Sequence, residues 1–162
     1  MSKYAVWFHE QLQNSAEGFV WGTGQVPEAR RYATPPKGLG EWTVARHVFH
    51  LWYYEQTIAL PSMRQWLGGT IPPVEDGDED IAWSKTVEGV ESMLEKFKAV
   101  RAEQIALLPS FYDVAWDSVC DTVWGPISLL WVVSKTYQHT AEHINDVMRI
   151  GLFWNFYAEE PK

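Results

Sequence analysis

Cysteine is almost absent from this sequence: Cys120 is the only one in 162 residues. One thiol cannot close an intramolecular disulfide, so no disulfide framework is expected, and a reducing cytoplasm is the natural setting. Beside Val119, that thiol reads as inert packing rather than as a nucleophile. Positive charge is also scarce, with 13 Lys and Arg against 21 Asp and Glu and a formal net charge of −8. A general nucleic-acid-binding surface needs clustered cations, so no nucleic-acid partner is expected. Apolar runs never approach the roughly 18 residues that would suggest a membrane span. The opening MSKYAVWFHEQL meets charge too early for a signal peptide, so neither a membrane nor a secretory route is expected.

Aromatic side chains, by contrast, are plentiful: ten Trp, seven Tyr and seven Phe. They serve as core fillers or as the wall of a cavity. A hydrophobic fraction of 46% with 21% charged residues is ordinary for a globular chain. No repeat, linker or shift of composition divides it, so one domain over residues 1–162 is expected.

Periodicity predicts an all-α fold. Ser2 caps a first helix running to about Val20, with Ala5, Phe8, Leu12, Ala16 and Phe19 as its buried stripe and His9 on the margin, at the surface. Gly22–Gly40, with four glycines and three prolines, reads as a long connection. Thr43 caps a second helix to about Leu60, where Pro61 breaks it and a short turn follows through Leu67. Its inward positions are Val44, His47, Val48, Leu51, Tyr54 and Ile58, with His50 beside them. The acidic stretch TIPPVEDGDED (residues 70–80) lacks the spacing of an EF-hand and reads as solvated charge. A third helix is predicted over Ser84–Leu108, with Val87, Val90, Leu94, Phe97 and Ile105 buried. Residues 110–125 alternate like an extended segment or a short hairpin. Pro126 then opens a fourth helix that ends near Gly151, and the aromatic tail beyond it packs back or supports a dimer. The expected architecture is a four-helix bundle with a long first connection.

The stretch KTYQHTAEHINDVMRI carries His139 and His143 one helical turn apart. An angular offset of about 40° and a rise of about 6 Å put both imidazoles on one face. That face also holds Leu129, Val132, Thr136, Val147 and Ile150, so the histidines stand where aliphatic side chains belong. Buried imidazoles need polar partners. Tyr54, Tyr137 or backbone carbonyls would satisfy them as ordinary core residues; a metal ion would make them a site. The second helix offers a third ligand from His47 or His50, on neighbouring faces. Three histidines leave a coordination position open, as catalytic zinc requires, and imidazole also suits nickel, iron or copper. The same stretch matches HxxEH, the pattern of inverted zinc peptidases. That reading lacks a third ligand, since Glu159 and Glu160 are the carboxylates of a frayed tail, so Glu142 is assigned to a helix flank.

Taken together, Trp42-Thr43, His50-Leu51 with Glu55, Trp124-Gly125 and His139-x3-His143 resemble the DinB/YfiT-like superfamily of metalloenzymes, over nearly the whole chain and in the family's order. The resemblance implies a four-helix bundle of up-down-down-up topology and a divalent metal, zinc or nickel first, held by His50, His139 and His143. His47 does not match a ligand position and becomes an inward neighbour; Arg46 stands where many relatives carry Glu. The activity implied is that of a transferase or isomerase using a low-molecular-weight thiol such as bacillithiol, mycothiol or glutathione, with a small-molecule substrate and a homodimeric state. An ion with an open position lowers the pKa of a thiol and presents a thiolate. Glu55 and Asp146 are nearby candidates for a general base. The competing expectation is a non-catalytic bundle that binds a small ligand or a partner, its metal structural or absent.

Overall fold

The computed structural model describes residues 2–158 and is mostly helical, with one two-stranded sheet. Helix α1 spans Lys3–Gln25 and is capped by Ser2, whose Oγ accepts from the Ala5 N–H at 3.1 Å. All five predicted stripe residues are buried, and His9 is exposed. The helix runs a turn past Val20, straight through Gly22. Gly18 and Gly22 lie against Ile144 and Met148, and this packing overrides glycine's weak helix propensity. The first connection is long, as expected, and contains the short helix α2, Glu28–Arg31.

Helix α3, Val44–Tyr54, starts where Thr43 Oγ1 accepts from the Arg46 N–H at 3.1 Å. Its axis continues as a π-helical segment, Glu55–Ala59, and then as α4, Leu60–Arg64. Pro61 explains the widening. Its nitrogen has no proton to give the carbonyl four residues back, and its ring crowds that carbonyl. The ladder relaxes so that the Leu60 N–H reaches Glu55 instead. The extra residue rotates the following positions, so Glu55 and Ala59 are buried while Ile58 is only half-buried.

The predicted third helix is two helices. Helix α5, Asp78–Lys85, has Asp78, Glu79 and Asp80 in its first turn, where carboxylates suit the N-terminal end of the helix dipole. Residues 86–89 are not helical, and Val87 is 98% exposed rather than buried. Thr86, Val87 and Gly89 are poor helix formers, and the break lets Trp83 turn onto Phe49 (ring centroids 5.2 Å apart). Helix α6, Val90–Leu107, then buries Val90, Leu94 and Phe97 as predicted, but Arg101 and Gln104 rather than Ile105.

Of the two forms expected for the segment before the last helix, a hairpin is present, and it runs past residue 125: β1, Val119–Thr122, pairs antiparallel with β2, Gly125–Ser128. Pro126 sits in β2 opposite Asp121, so it does not open the last helix. Helix α7 begins at Leu129 and reaches Ala158, passing through Gly151, which Val26 approaches closely. The aromatic tail is therefore helical; Trp154 and Tyr157 pack on the core, while Leu152, Phe153 and Phe156 stay exposed. Glu159 and Glu160 lie outside the described residues.

Neighbouring pairs define directions. The contacts of Gly18 with Ile144 and of Gly22 with Met148 make α1 and α7 run the same way. Trp52 lies under Lys96 and Glu55 bonds Arg101, so α3 and α6 also agree. His47 meets His143 and His50 meets His139, so α3 and α7 oppose each other. Two apolar clusters form the core, one around Phe19, Val48, Phe97 and Val147, the other around Phe8, Leu12, Leu108 and Leu129. Between them along α7 lies a polar stretch, Thr136 to His143, buried at Thr136, His139, Thr140 and His143. Among the described residues, no helix is long and apolar enough to cross a membrane.

Candidate metal centre

Three imidazoles converge on that stretch. His50 comes from α3, and His139 and His143 come from successive turns of α7. His50 Nε2 lies 3.0 Å from His139 Nε2, which lies 3.1 Å from His143 Nε2. Ligand atoms of all three fall within 4.8 Å of one another, so the group could hold a metal ion. His139 and His143 are buried, and His50 is partly open to solvent.

The bonding of the rings decides what such a cluster wants. A neutral imidazole has one N–H and one lone pair. Both carboxylate oxygens of Glu79 lie 2.8 Å from His50 Nδ1, which places the proton there and leaves a lone pair on Nε2. His143 Nδ1 lies 2.9 Å from His47 Nδ1, with room for one proton between them. A single proton on His139 Nε2 cannot satisfy both of its close nitrogen neighbours, whereas a cation satisfies all three lone pairs. Among the described residues, His139 Nδ1 and the Tyr54 hydroxyl are buried without partners, so the tyrosine does not quench the ring as an ordinary core arrangement would. Nitrogens spaced in this way suit one ion at metal–nitrogen distances of about 2.0–2.1 Å.

Burial also keeps the rings neutral. It is the main cause that lowers His139 from 6.5 to about 3 and His143 to about 2, with the neighbouring histidines and Lys135 adding to it. His47 is lowered to about 4, again mainly by burial, with His50 and Arg46 contributing. Neutral imidazoles are the form that binds metal.

His47, placed by sequence as an inward neighbour, touches the other nitrogen of His143. With His143 and Asp146 it makes a second group within 4.8 Å. Asp146 is half-buried, and burial raises its pKa, Glu142 adding and Arg149 opposing. Glu142 is exposed, 3.7 Å from Lys135, on a flank of the helix as expected.

Two features of the surroundings escaped the sequence reading. Glu79 belongs to the stretch read as solvated charge, yet it bonds His50 and lies 2.6 Å from Arg46, which also holds Asp80 at 2.8 Å. Burial alone would raise Glu79; the contacts with His50 and Arg46 outweigh it and lower its pKa. The Arg46 guanidinium lies over Trp42 at 4.8 Å and over Trp83 at 5.5 Å. The signal was Arg46 itself, a cation on an inward face with no acid within helical reach. Aromatic rings line the histidines: Trp42 lies 4.9 Å from His50 and parallel to His143, and Tyr54 lies 4.2 Å from His139.

The second feature is a buried ion pair next to the histidines. Arg101 Nη2 donates to Glu55 Oε1 at 3.0 Å and to Thr140 Oγ1 at 2.8 Å, and Gln104 Nε2 donates to Glu55 Oε2 at 2.5 Å. Glu55 is therefore committed and fully buried, not a solvated base. Burial raises its pKa against the pull of Arg101, Gln104 and Thr140. A cavity of about 350 Å3 lies elsewhere, between α1 and α6, lined by Ala16, Val20, Trp21, Ala102 and Ile105 with Arg101 among them.

No curated protein matches the chain significantly. A family profile, that of the DinB superfamily, matches residues 11–147. With most of the chain covered and a histidine cluster that could hold a metal, the conclusion is plain: this protein belongs to the DinB superfamily.

Proposed function

We propose that the chain is a divalent-metal-dependent enzyme in which His50, His139 and His143 hold the ion, zinc or nickel. The observation that carries this reading is the convergence of three Nε2 atoms at 3.0 and 3.1 Å, with the rings of His139 and His143 kept neutral by burial. Bound there, the metal supplies a Lewis-acidic position that lowers the pKa of a thiol. A low-molecular-weight thiol as co-substrate and S-transfer to a small electrophile are the chemistry we assign. The chain's own contribution is to orient the imidazoles and, through Trp42 and Tyr54, to exclude water around them.

The test is elemental analysis of protein purified without chelator or affinity tag, followed by titration with a thiol. Near-stoichiometric metal that is lost in His139→Ala is expected. Metal-free wild type that stays metal-free on adding zinc or nickel overturns the reading.

The helix directions support an up-down-down-up bundle built from α1, α3 with α4, α6 and α7 as one domain, and its single cysteine fits the cytoplasm we assign to it. The exposed Trp21, Leu152, Phe153 and Phe156 favour a homodimer, which light scattering after size exclusion checks. A second reading, a non-catalytic bundle that binds a small apolar ligand, is favoured by the cavity between α1 and α6. Turnover absent with every thiol, together with saturable binding blocked by Ala102→Trp, would select it.

A further inference from the structure

Each of the three histidines meets something different at its second nitrogen. His139 Nδ1 has no partner among the described residues, His143 Nδ1 meets the neutral ring of His47, and His50 Nδ1 meets a carboxylate. We propose that Glu79, carried by α5, is a positioning residue for the cluster: it holds the proton on His50 Nδ1 and so points the Nε2 lone pair at His139 and His143.

The geometry supports this at each link. Both Glu79 oxygens stand 2.8 Å from Nδ1, so the ring faces the carboxylate squarely and its rotation is fixed. Arg46, one turn before His50 on α3, grips Glu79 at 2.6 Å and Asp80 at 2.8 Å. Arg46 is itself buried among Trp42, Phe49 and Trp83, so its guanidinium is a rigid anchor. Helix α5 has no buried residue of its own. Those ion pairs, the histidine contact and Trp83 against Phe49 are what attach it to α3. A carboxylate on the far nitrogen of a ligating imidazole fixes the tautomer and raises the basicity of the near one. One of the three acidic residues in the first turn of α5 thus sets which His50 nitrogen is available. In its link to metal the proposal rests on the three-histidine reading; in the tautomer it does not.

The experiment uses the full chain. In metal-free protein at pH 8, 15N-resolved spectra of the imidazoles, assigned with His50→Gln, should show His50 as the Nδ1–H tautomer. In Glu79→Ala the Nε2–H tautomer should appear. Titration with zinc against a chelator should then show affinity falling about 10- to 100-fold in Glu79→Ala. Glu79→Gln, whose amide oxygen still accepts from Nδ1–H, should recover part of the loss. Asp80→Asn frees one arm of Arg46 without touching His50 and should match wild type within about twofold. A wild-type His50 protonated on Nε2, or a tautomer unmoved in Glu79→Ala and Glu79→Gln, overturns the proposal whatever the metal does. Unchanged zinc affinity in a Glu79→Ala protein that binds zinc overturns the positioning role. If wild type binds no zinc, the three-histidine reading fails and the tautomer alone decides Glu79. Should Glu79→Ala fail to fold by circular dichroism, Glu79→Gln carries both measurements, with a partial tautomer shift and a smaller loss of zinc affinity expected and no change in either overturning the proposal.

Discussion

Two buried polar clusters sit side by side in this helical core, and they are satisfied in opposite ways. Glu55, Arg101, Gln104 and Thr140 bring both signs of charge and bond one another, although Arg101 Nε and Nη1 and Gln104 Oε1 find no partner among the described residues. His50, His139 and His143 bring ring nitrogens alone, crowded at 3.0 and 3.1 Å, with His139 and His143 kept neutral by burial. The first cluster pairs its charges within itself; the second has no charge of its own to pair and could hold a cation. One serves the fold and the other is poised for a ligand, although Thr140 of the first is the next residue after His139 of the second.

Cutting the ion pair should have the largest effect. Arg101→Ala leaves the Glu55 carboxylate buried and unpaired, and Glu55→Ala does the same to the guanidinium, so either should cost about 3–5 kcal/mol. Urea melts of metal-free protein measure it. A loss under about 1 kcal/mol in both variants would mean that water replaces the pair, and the contrast between the clusters would collapse.

Cutting a histidine should act chiefly when metal is present. Zinc at about 100 times its dissociation constant should stabilise wild type by about 2.7 kcal/mol, and should do nothing for His139→Ala or His143→Ala. Metal-free, His139→Ala should lose less than the ion-pair variants, since it removes a crowded nitrogen, whereas His143→Ala also takes away the partner of His47 Nδ1. Equal stabilisation of wild type and His139→Ala by zinc would place the ion elsewhere.

How much of this could be read in sequence follows the range of the interactions. The i, i+4 pair on α7 was legible because helical periodicity is local, and the stripes of α1 and α3 were legible for the same reason. Periodicity alone left the choice between His47 and His50 open, because both lie on the inward side; the family resemblance pointed to His50, and the fold shows which nitrogen meets His139. Pro61 announced a break, yet a π-helical segment that brings Glu55 inside depends on the packing of the whole layer. Gly151 read as a stop because glycine usually ends helices; here Val26 fills the space beside it and α7 continues. Glu79 was hidden for the strongest reason. Acidic runs default to solvent, and the cation that recruits this one stands on another helix.

Acid should separate the clusters by sign. In the folded chain His47 is lowered to about 4 and His139 to about 3 from 6.5, so below pH 6.5 the unfolded chain binds more protons than the folded one. Metal-free protein should therefore lose stability as pH falls from about 6.5 towards 4, by up to about 1.4 kcal/mol per pH unit for each such histidine. Glu55 works the other way: its raised folded pKa disfavours folding as pH rises through the carboxylate range. Between pH 6.5 and 5 the histidine term should dominate, and His139→Ala should flatten the slope seen in wild-type melts. A slope unchanged in His139→Ala and His47→Ala would show that the rings are not held neutral.

The smallest effect should appear at α5, and it follows from reciprocity. If docking α5 through Glu79 strengthens metal binding, metal must strengthen the docking of α5 by the same factor, since both describe one coupling free energy. Helix α5 buries no residue and hangs on Arg46, His50 and the Trp83–Phe49 contact, so its opening should be a local event far easier than global unfolding. Zinc should slow hydrogen exchange at the amides of residues 81–85 by no more than the affinity loss in Glu79→Ala, while α6, which has its own buried stripe, should hardly respond. Glu79→Gln should retain part of the slowing and Glu79→Ala none of it. Exchange at α5 that ignores zinc in a protein that binds it would mean that the carboxylate and the metal do not communicate through His50, and that Arg46 and the Trp83–Phe49 contact hold the helix in place.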